Sequence, residues 1–194
     1  MNKVIYIIAG PNGAGKTTFA LTSLKKVFGI DEFVNADEIA KGLSPLNPES
    51  VSLSAGKIML ERITKLVNEE RSFAFETTLA GKNYIKHIAT AKKKGYQIVM
   101  FFLWLNSAEI AVNRVKERVK NGGHNVPETR VRKRYKSGLN NYINLYLKLA
   151  DLTYLIDNTD YFEDFLNNLI IEKTSTSEIK VYNQEVWDKI NGTN

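Results

Sequence analysis

The residues with the most chemical potential sit close to the start of the chain. Gly10-Pro11-Asn12-Gly13-Ala14-Gly15-Lys16-Thr17 fits the pattern G-x-x-x-x-G-K-[ST]. Glycines at these spacings let a loop turn tightly and aim backbone N–H groups at a pyrophosphate, and a helix beginning at the loop adds its positive end. Lys16 then reaches the β and γ phosphates, and the Thr17 hydroxyl meets the Mg²⁺ that bridges them, with Thr18 following directly. The ligands this pattern asks for are ATP and Mg²⁺. A glycine-rich turn that fits by chance would lack the required context, and here an apolar strand pattern precedes the loop and a helical pattern follows it.

Two carboxylates follow short apolar runs. Asp37 comes after Phe33-Val34, and Glu76 comes after Phe73-Ala74-Phe75 and before Thr77-Thr78. Both are expected at the carboxyl ends of strands, where an open α/β sheet binds its ligands. There Asp37 would orient an acceptor hydroxyl and take its proton, whereas the competing reading makes it the N-cap of a helix over Glu38-Ile39-Ala40. Glu76 would hold a substrate hydroxyl or a metal-bound water, against the alternative of an exposed strand end.

Positive charge is concentrated between residues 114 and 136, where nine basic residues face only Glu117 and Glu128. That excess alone exceeds the net charge of +6 carried by the whole chain, so the rest is nearly neutral. Arg114 and Arg118, and then Arg130 and Arg134, lie four apart at helical spacing, joined through Gly122-Gly123-His124. This layout suits a helical lid whose arginines close over phosphates and stabilise charge on a moving phosphoryl group. Lys116, Lys120, Arg132, Lys133 and Lys136 read as a solvated face of it. His124 reads equally as a turn residue or as a contact to substrate.

These groups must be carried by something rigid. Apolar and β-branched runs at residues 3–9, 33–36, 72–75, 97–105 and 152–156 predict five strands. Between them helical patterns cover residues 16–28, 48–70, 83–94, a stretch capped by Ser107, and another begun at Pro127. Val131, Tyr135, Leu139, Tyr142, Tyr146 and Leu149 form one apolar stripe at helical spacing, which makes the tyrosines core rather than a base-stacking platform. A hairpin is expected within residues 168–182. The fold class is therefore α/β, a three-layer P-loop NTPase with a mostly parallel five-stranded sheet, helices on both faces and a helical basic lid.

At 194 residues, with 43% hydrophobic and 25% charged residues, the chain suits one domain, with the lid at about 114–136 and an extension at about 159–194. The absence of cysteine excludes a disulfide framework and a thiolate zinc site, and suits a reducing cytoplasm. Its N-terminal apolar run is too short for a membrane span or an export signal, so no membrane partner is expected.

Taken together, residues 10–18, Val34-Asn35-Ala36-Asp37, residues 73–78 and Arg118 with Gly122-Gly123-His124 resemble the zeta-toxin-like P-loop kinases. Arg134-Tyr135, Asn141, and Ala150-Asp151 leading to Asp157-Asn158 are similar to the stand-alone branch of predicted ABC-type ATPases. The resemblance implies an ATP-dependent kinase, with Asp37 as the base for a sugar hydroxyl and UDP-N-acetylglucosamine as the acceptor. It implies that Glu76 and Thr78 help bind that acceptor, with His124 and Arg130 beside them, and that Lys16, Arg118 and Arg134 serve the transfer. An antitoxin protein is the partner it implies. The chain departs from the zeta pattern at Thr77 and at Leu79-Ala80, where that family has glycine and glycine-arginine, and Lys133 stands where the closer branch has arginine. Two other classes compete with a small-molecule kinase: a nucleic-acid-associated ATPase using the basic stretch, and a nucleotide-dependent interaction module without turnover. Nucleic acid is the weaker partner, because the basic residues fall where a lid belongs.

Overall fold

The computed structural model describes residues 3–123, 125–160, 165–174, 176 and 178–192. The first half runs β1 (Val4–Ala9), α1 (Lys16–Phe28), β2 (Phe33–Val34), α2 (Ala36–Leu43), α3 (Ser52–Asn68), β3 (Phe73–Thr77), α4 (Tyr84–Lys93) and β4 (Gln97–Trp104). The second half runs α5 (Ala108–Lys120), α6 (Glu128–Asn141), α7 (Leu147–Leu149), β5 (Leu152–Asp157), β6 (Leu169–Lys173), β7 (Ile179–Val181) and α8 (Gln184–Asn191). The strands form one sheet in the order β2-β3-β1-β4-β5-β6-β7. β1 is buried inside it, with parallel β3 on one side and parallel β4 on the other. Successive side chains of a strand leave by opposite faces. Ile5, Ile7 and Ala9 accordingly join a core with Phe73 and Phe102 under Met59 of α3 and Ile88 of α4, while Ile8 joins a second core with Ala74 and Phe101 under Leu24 of α1 and Val115 of α5. Three layers result. The chain leaves β1 toward β3 first and reaches β4 later, so the sheet order reverses beside β1, and a crevice opens there beyond the carboxyl ends of the strands.

The sheet has seven strands, not five. The expected hairpin at the C-terminal end is present as β6 and β7, and it extends the sheet because β6 pairs antiparallel with β5. An antiparallel neighbour needs no long crossover, unlike a parallel one. α8 was not expected from sequence; Asn183 caps it by accepting from the Val186 N–H at 3.1 Å, and Trp187 buries against the core.

Three boundaries near the crevice also differ from expectation. The strand expected over residues 33–36 stops at Val34, because the Asn35 side chain accepts from the N–H groups of Asp37 (2.8 Å) and Glu38 (3.4 Å) and starts α2. The strand expected over 72–75 runs on to Thr77, since Ile8 and Ala9 of β1 offer parallel partners to Glu76 and Thr77. The helix expected from residue 48 opens as a 3₁₀ turn, Pro48–Val51, before α3. No helix among the described residues is long and apolar enough to cross a membrane.

Candidate active site

The loop after β1 is shaped by close approach. Gly10 has φ +140°, and a Cβ there would stand 2.3 Å from the Leu103 carbonyl oxygen of β4, so only glycine lets the chain turn out of the sheet at this point. The loop is then tied down from two sides. The Asn158 amide donates to the Ala14 carbonyl at 2.8 Å, and Arg114 donates to the carbonyls of Asn158 (2.8 Å) and Thr159 (2.6 Å), both just past β5. The α1 N-terminus follows the loop, with its unpaired N–H groups facing the crevice.

Lys16 is only 5% exposed. Its ammonium donates to the Pro11 carbonyl at 2.9 Å and lies 3.6 Å from Glu76 Oε1. Burial pulls its pKa below the usual lysine value; Glu76 and Asp37 oppose that fall, and Arg118 adds to it. Glu76 is a hub rather than an exposed strand end. Its Oε2 accepts from the Thr17 hydroxyl at 2.7 Å and from the Asn35 amide at 3.0 Å. Asn35 therefore caps α2 with its oxygen and fixes Glu76 with its nitrogen. Asp37 lies in the first turn of α2, one step inside the helix, and does not cap it, which removes the capping alternative for this residue.

Two chambers meet here. The larger, about 470 Å³, is lined by the phosphate loop, Thr17, Thr18, Arg114, Glu117, Arg118 and Asn121. The smaller, about 130 Å³, is lined by Asn35, Ala36, Thr77, Thr78, Tyr84 and Arg134. Asn12, Lys16, Asp37 and Glu76 line both, so they form the wall between them. Arg134 comes from α6 and donates to Asn12 Oδ1 at 3.4 Å. Burial lowers the pKa of its guanidinium, while the field of Asp37 works against that. Tyr84 stacks on Phe75 with ring centroids 5.0 Å apart, and burial raises its phenol pKa.

Beyond the loop, where Gly10, Pro11 and Ala14 line neither chamber, the expected site residues converge except for Arg130 and His124. Arg130 lines neither chamber; it pairs with Glu49 at 2.7 Å, across from α6 to the 3₁₀ turn before α3. His124 lies outside the described residues. The rest of the basic stretch is largely neutralised on the surface: Lys116 pairs with Glu128 (3.0 Å), Lys120 with Glu117 (2.6 Å), and Arg132 with both Glu109 and Glu128. Asn35, Tyr84, Glu117 and Asn121 also line the chambers, beyond the residues the sequence leads one to expect there. For Asn35 a signal existed, since asparagine ahead of two acidic residues is a preferred helix start; for Tyr84, seven residues past β3, there was none.

The oxygen donors at the junction suit a hard cation. Thr17 and Glu76 present a hydroxyl and a carboxylate side by side, and no group of three or more His, Cys, Asp or Glu able to cage a metal exists among the described residues. Mg²⁺ matches such a site, because it takes one or two protein oxygens and completes its shell with phosphates and water.

A sequence model of the zeta toxin family matches residues 1–170. A Haemophilus influenzae (strain ATCC 51907 / DSM 11121 / KW20 / Rd) protein described only as uncharacterized is 33% identical over 134 residues, 69% of this chain and 93% of its own length. Among solved structures, the AvrRxo1-ORF1:AvrRxo1-ORF2 complex superposes with a TM-score of 0.72 at 18% identity, over 97% of this chain. The chain spans 63% of that neighbour's length. The PezAT chromosomal toxin-antitoxin system of Streptococcus pneumoniae superposes with a TM-score of 0.65 at 16% identity, over 98% of this chain and 78% of the other. At these identities the two structures share the fold.

Proposed function

Since the chain belongs to the zeta toxin family, we propose that it is a P-loop kinase that moves the γ-phosphoryl group of ATP onto a hydroxyl of a small acceptor. The observation that carries this reading is the shared wall, where Lys16, Asp37 and Glu76 stand between a chamber built for phosphates and a second chamber built from polar side chains. A transfer between two bound partners needs such a boundary, with the reacting atoms held in line across it.

On this reading the loop Gly10–Thr18, through the backbone N–H groups left free in it, and the Lys16 ammonium hold the phosphates in the larger chamber. Thr17, with Glu76 beside it, would hold Mg²⁺, which supplies charge neutralisation between the β and γ phosphates. The acceptor enters the smaller chamber against Thr78, Tyr84 and Asn35. Asp37 orients its hydroxyl and takes its proton, and no hydrogen bond to the α2 backbone competes for that carboxylate. Arg118 from the larger chamber and Arg134 from the smaller one converge on the charge that develops in transfer. Arg130 serves the acceptor side through its pairing with Glu49 rather than by direct contact.

The finer reading takes a UDP-amino sugar such as UDP-N-acetylglucosamine as the acceptor, the whole of residues 1–194 as one kinase domain with its lid at about 114–136, and the cytoplasm as its place of work. One structural neighbour is a toxin-antitoxin system and another a two-protein complex, which supports an antitoxin protein as partner. Among the described residues, the ion pairs along α5 and α6 take up Lys116, Lys120 and Arg132, which weighs against the ATPase alternative. The test is transfer of label from γ-labelled ATP to UDP-N-acetylglucosamine and to a panel of hydroxyl metabolites, with Lys16→Ala as the inactive control. Labelled product that disappears in the control is expected. ATP binding with no transfer to any acceptor would return the interaction-module reading.

A further inference from the structure

Behind the acceptor wall, one helix does two jobs. Residues 134, 138 and 141 of α6 recur at helical spacing and share a face. Arg134 opens into the smaller chamber. One turn on, Gly138 packs against the Thr78 carbonyl so closely that a Cβ would lie 2.3 Å from its oxygen. At the next position Asn141, 6% exposed, donates its amide to the carbonyls of Leu79 (2.8 Å) and Ala80 (3.2 Å). The helix then widens into a π turn, Tyr142–Tyr146, whose Tyr146 hydroxyl donates to the Gly81 carbonyl at 2.8 Å. Four successive carbonyls, from Thr78 to Gly81, are thus received by one continuous helical element.

What they hold is costly backbone. Leu79 has φ +53°, a left-handed conformation that a branched residue avoids, and its side chain is fully buried. Such a conformation persists only where the surroundings over-determine it, and it follows directly on Thr77 and Thr78, which line the chamber. We propose that Asn141 and Gly138 are positioning residues for acceptor binding: they clamp residues 78–81 to the helix that carries Arg134, and so fix the width of the chamber between Arg134 and Thr78. The inference rests on the kinase reading for what occupies the chamber, but the clamp itself does not depend on the acceptor's identity. It also accounts for Leu79-Ala80 at this place, since a buried leucine whose own carbonyl and that of Ala80 are hydrogen-bonded closes a wall that a glycine would leave loose.

The test uses two variants of the full chain. Asn141→Leu keeps volume and removes the donor, and Gly138→Ala improves helix propensity while its Cβ must push Thr78 away. Asp151→Asn is the comparison, because Asp151 is equally structural but distant in role, accepting from Lys92 (2.6 Å) and from the Ile98 N–H (2.8 Å) at the amino end of β4, opposite the crevice. With UDP-N-acetylglucosamine as probe, both α6 variants should raise its KM about tenfold or more while the Kd for ATP stays within about twofold, and Asp151→Asn should lower the melting temperature without changing that KM. If the wild type transfers nothing to this probe, the acceptor assignment falls, and the clamp is read by NMR instead. Signals of residues 77–81 and of the Tyr84 ring should then shift in the α6 variants, with those of residues 10–17 in place. An unchanged wall, or shifts spread equally over the sheet and matched by Asp151→Asn, would overturn the inference.

Discussion

Replacing Asp37 by asparagine separates chemistry from structure with the least disturbance of shape. The helix that carries Asp37 is capped by Asn35, whose oxygen accepts from the backbone N–H groups of residues 37 and 38, so the cap survives the change. What is lost structurally is one carboxylate in the first turn of α2, worth about 0.3–1 kcal/mol against the helix dipole. Its attraction for Lys16 and Arg134 is lost too, and the pKa values of both cations should fall further, since Asp37 props them up against burial. ATP binding should hold or tighten slightly, because a negative group beside the phosphates is gone. Transfer is another matter. Positioned base catalysis is worth on the order of 10²–10⁴-fold, or about 2.7–5.4 kcal/mol of barrier, several times the structural term. Rapid-quench transfer of labelled phosphate at saturating ATP and acceptor reads the rate, and thermal melting of the same preparations reads the stability. The contrast is Asn35→Ala, which should cost about 0.5–2 kcal/mol of stability through the lost cap. Transfer by Asp37→Asn within about twofold of wild type would refute the assignment and move the base to Glu76, the other carboxylate on the shared wall.

The remaining outcomes follow from the same geometry. Arg118→Ala and Arg134→Ala should each lower kcat at least about tenfold while changing the ATP Kd by much less, because charge on the moving phosphoryl group is greatest in the transition state; stopped-flow binding set against steady-state rates checks this, and a matching loss in both would make them ground-state binding residues. ATP should bind at least about tenfold more tightly with Mg²⁺ than with chelator, as calorimetry with and without EDTA would read, and Thr17→Ala should erase most of the difference. Glu32 gives a pH-dependent term away from the site: hydrogen bonds and charge from Arg62, then Arg71, hold its pKa below the ordinary 4.5. A depressed folded pKa stabilises above the unfolded value and is lost as pH falls through the folded one, so Glu32→Gln should cost up to about 1 kcal/mol at pH 7 and progressively less as pH falls well below the ordinary 4.5, as urea melts over an acid series would show.

How far the sequence anticipates the site depends on the range of the forces involved. The phosphate loop is largely local: the glycine spacing, the helix start and the Lys16 position follow from neighbouring residues, and expectation and structure agree on α1 from 16 to 28, although the clash that demands glycine at position 10 comes from Leu103 in β4. The ends of β2 and β3 are not local. β3 reaches Thr77 because β1, some seventy positions earlier, supplies ladder partners, and this puts Glu76 inside the sheet, where Thr17 and Asn35 can reach it. The number of strands fails for a related reason. β6 and β7 are legible as a hairpin, with Leu169-Ile170-Ile171 as an apolar run, but their joining the sheet depends on the antiparallel pairing of β6 with β5, which no local pattern announces.

Charge is the least legible of all. The stretch from 114 to 136 reads as a basic lid by composition, yet Glu49 and Glu109 lie outside that window and take up Arg130 and Arg132, while Glu117 and Glu128 inside it take up Lys120, Lys116 and a share of Arg132. What is left facing the chambers is Arg114, Arg118 and Arg134, and Arg114 is spent on the carbonyls that fasten the phosphate loop. The electrostatic work of the lid therefore falls on two arginines that approach the shared wall from opposite chambers. On the proposed reading, that division ties α5 and α6 to both partners of a transfer, because Arg118 lines the phosphate chamber and Arg134 the acceptor chamber. On that reading, the charge developing on the phosphoryl group meets both arginines only when both chambers are occupied, which would favour transfer to the acceptor over loss to water.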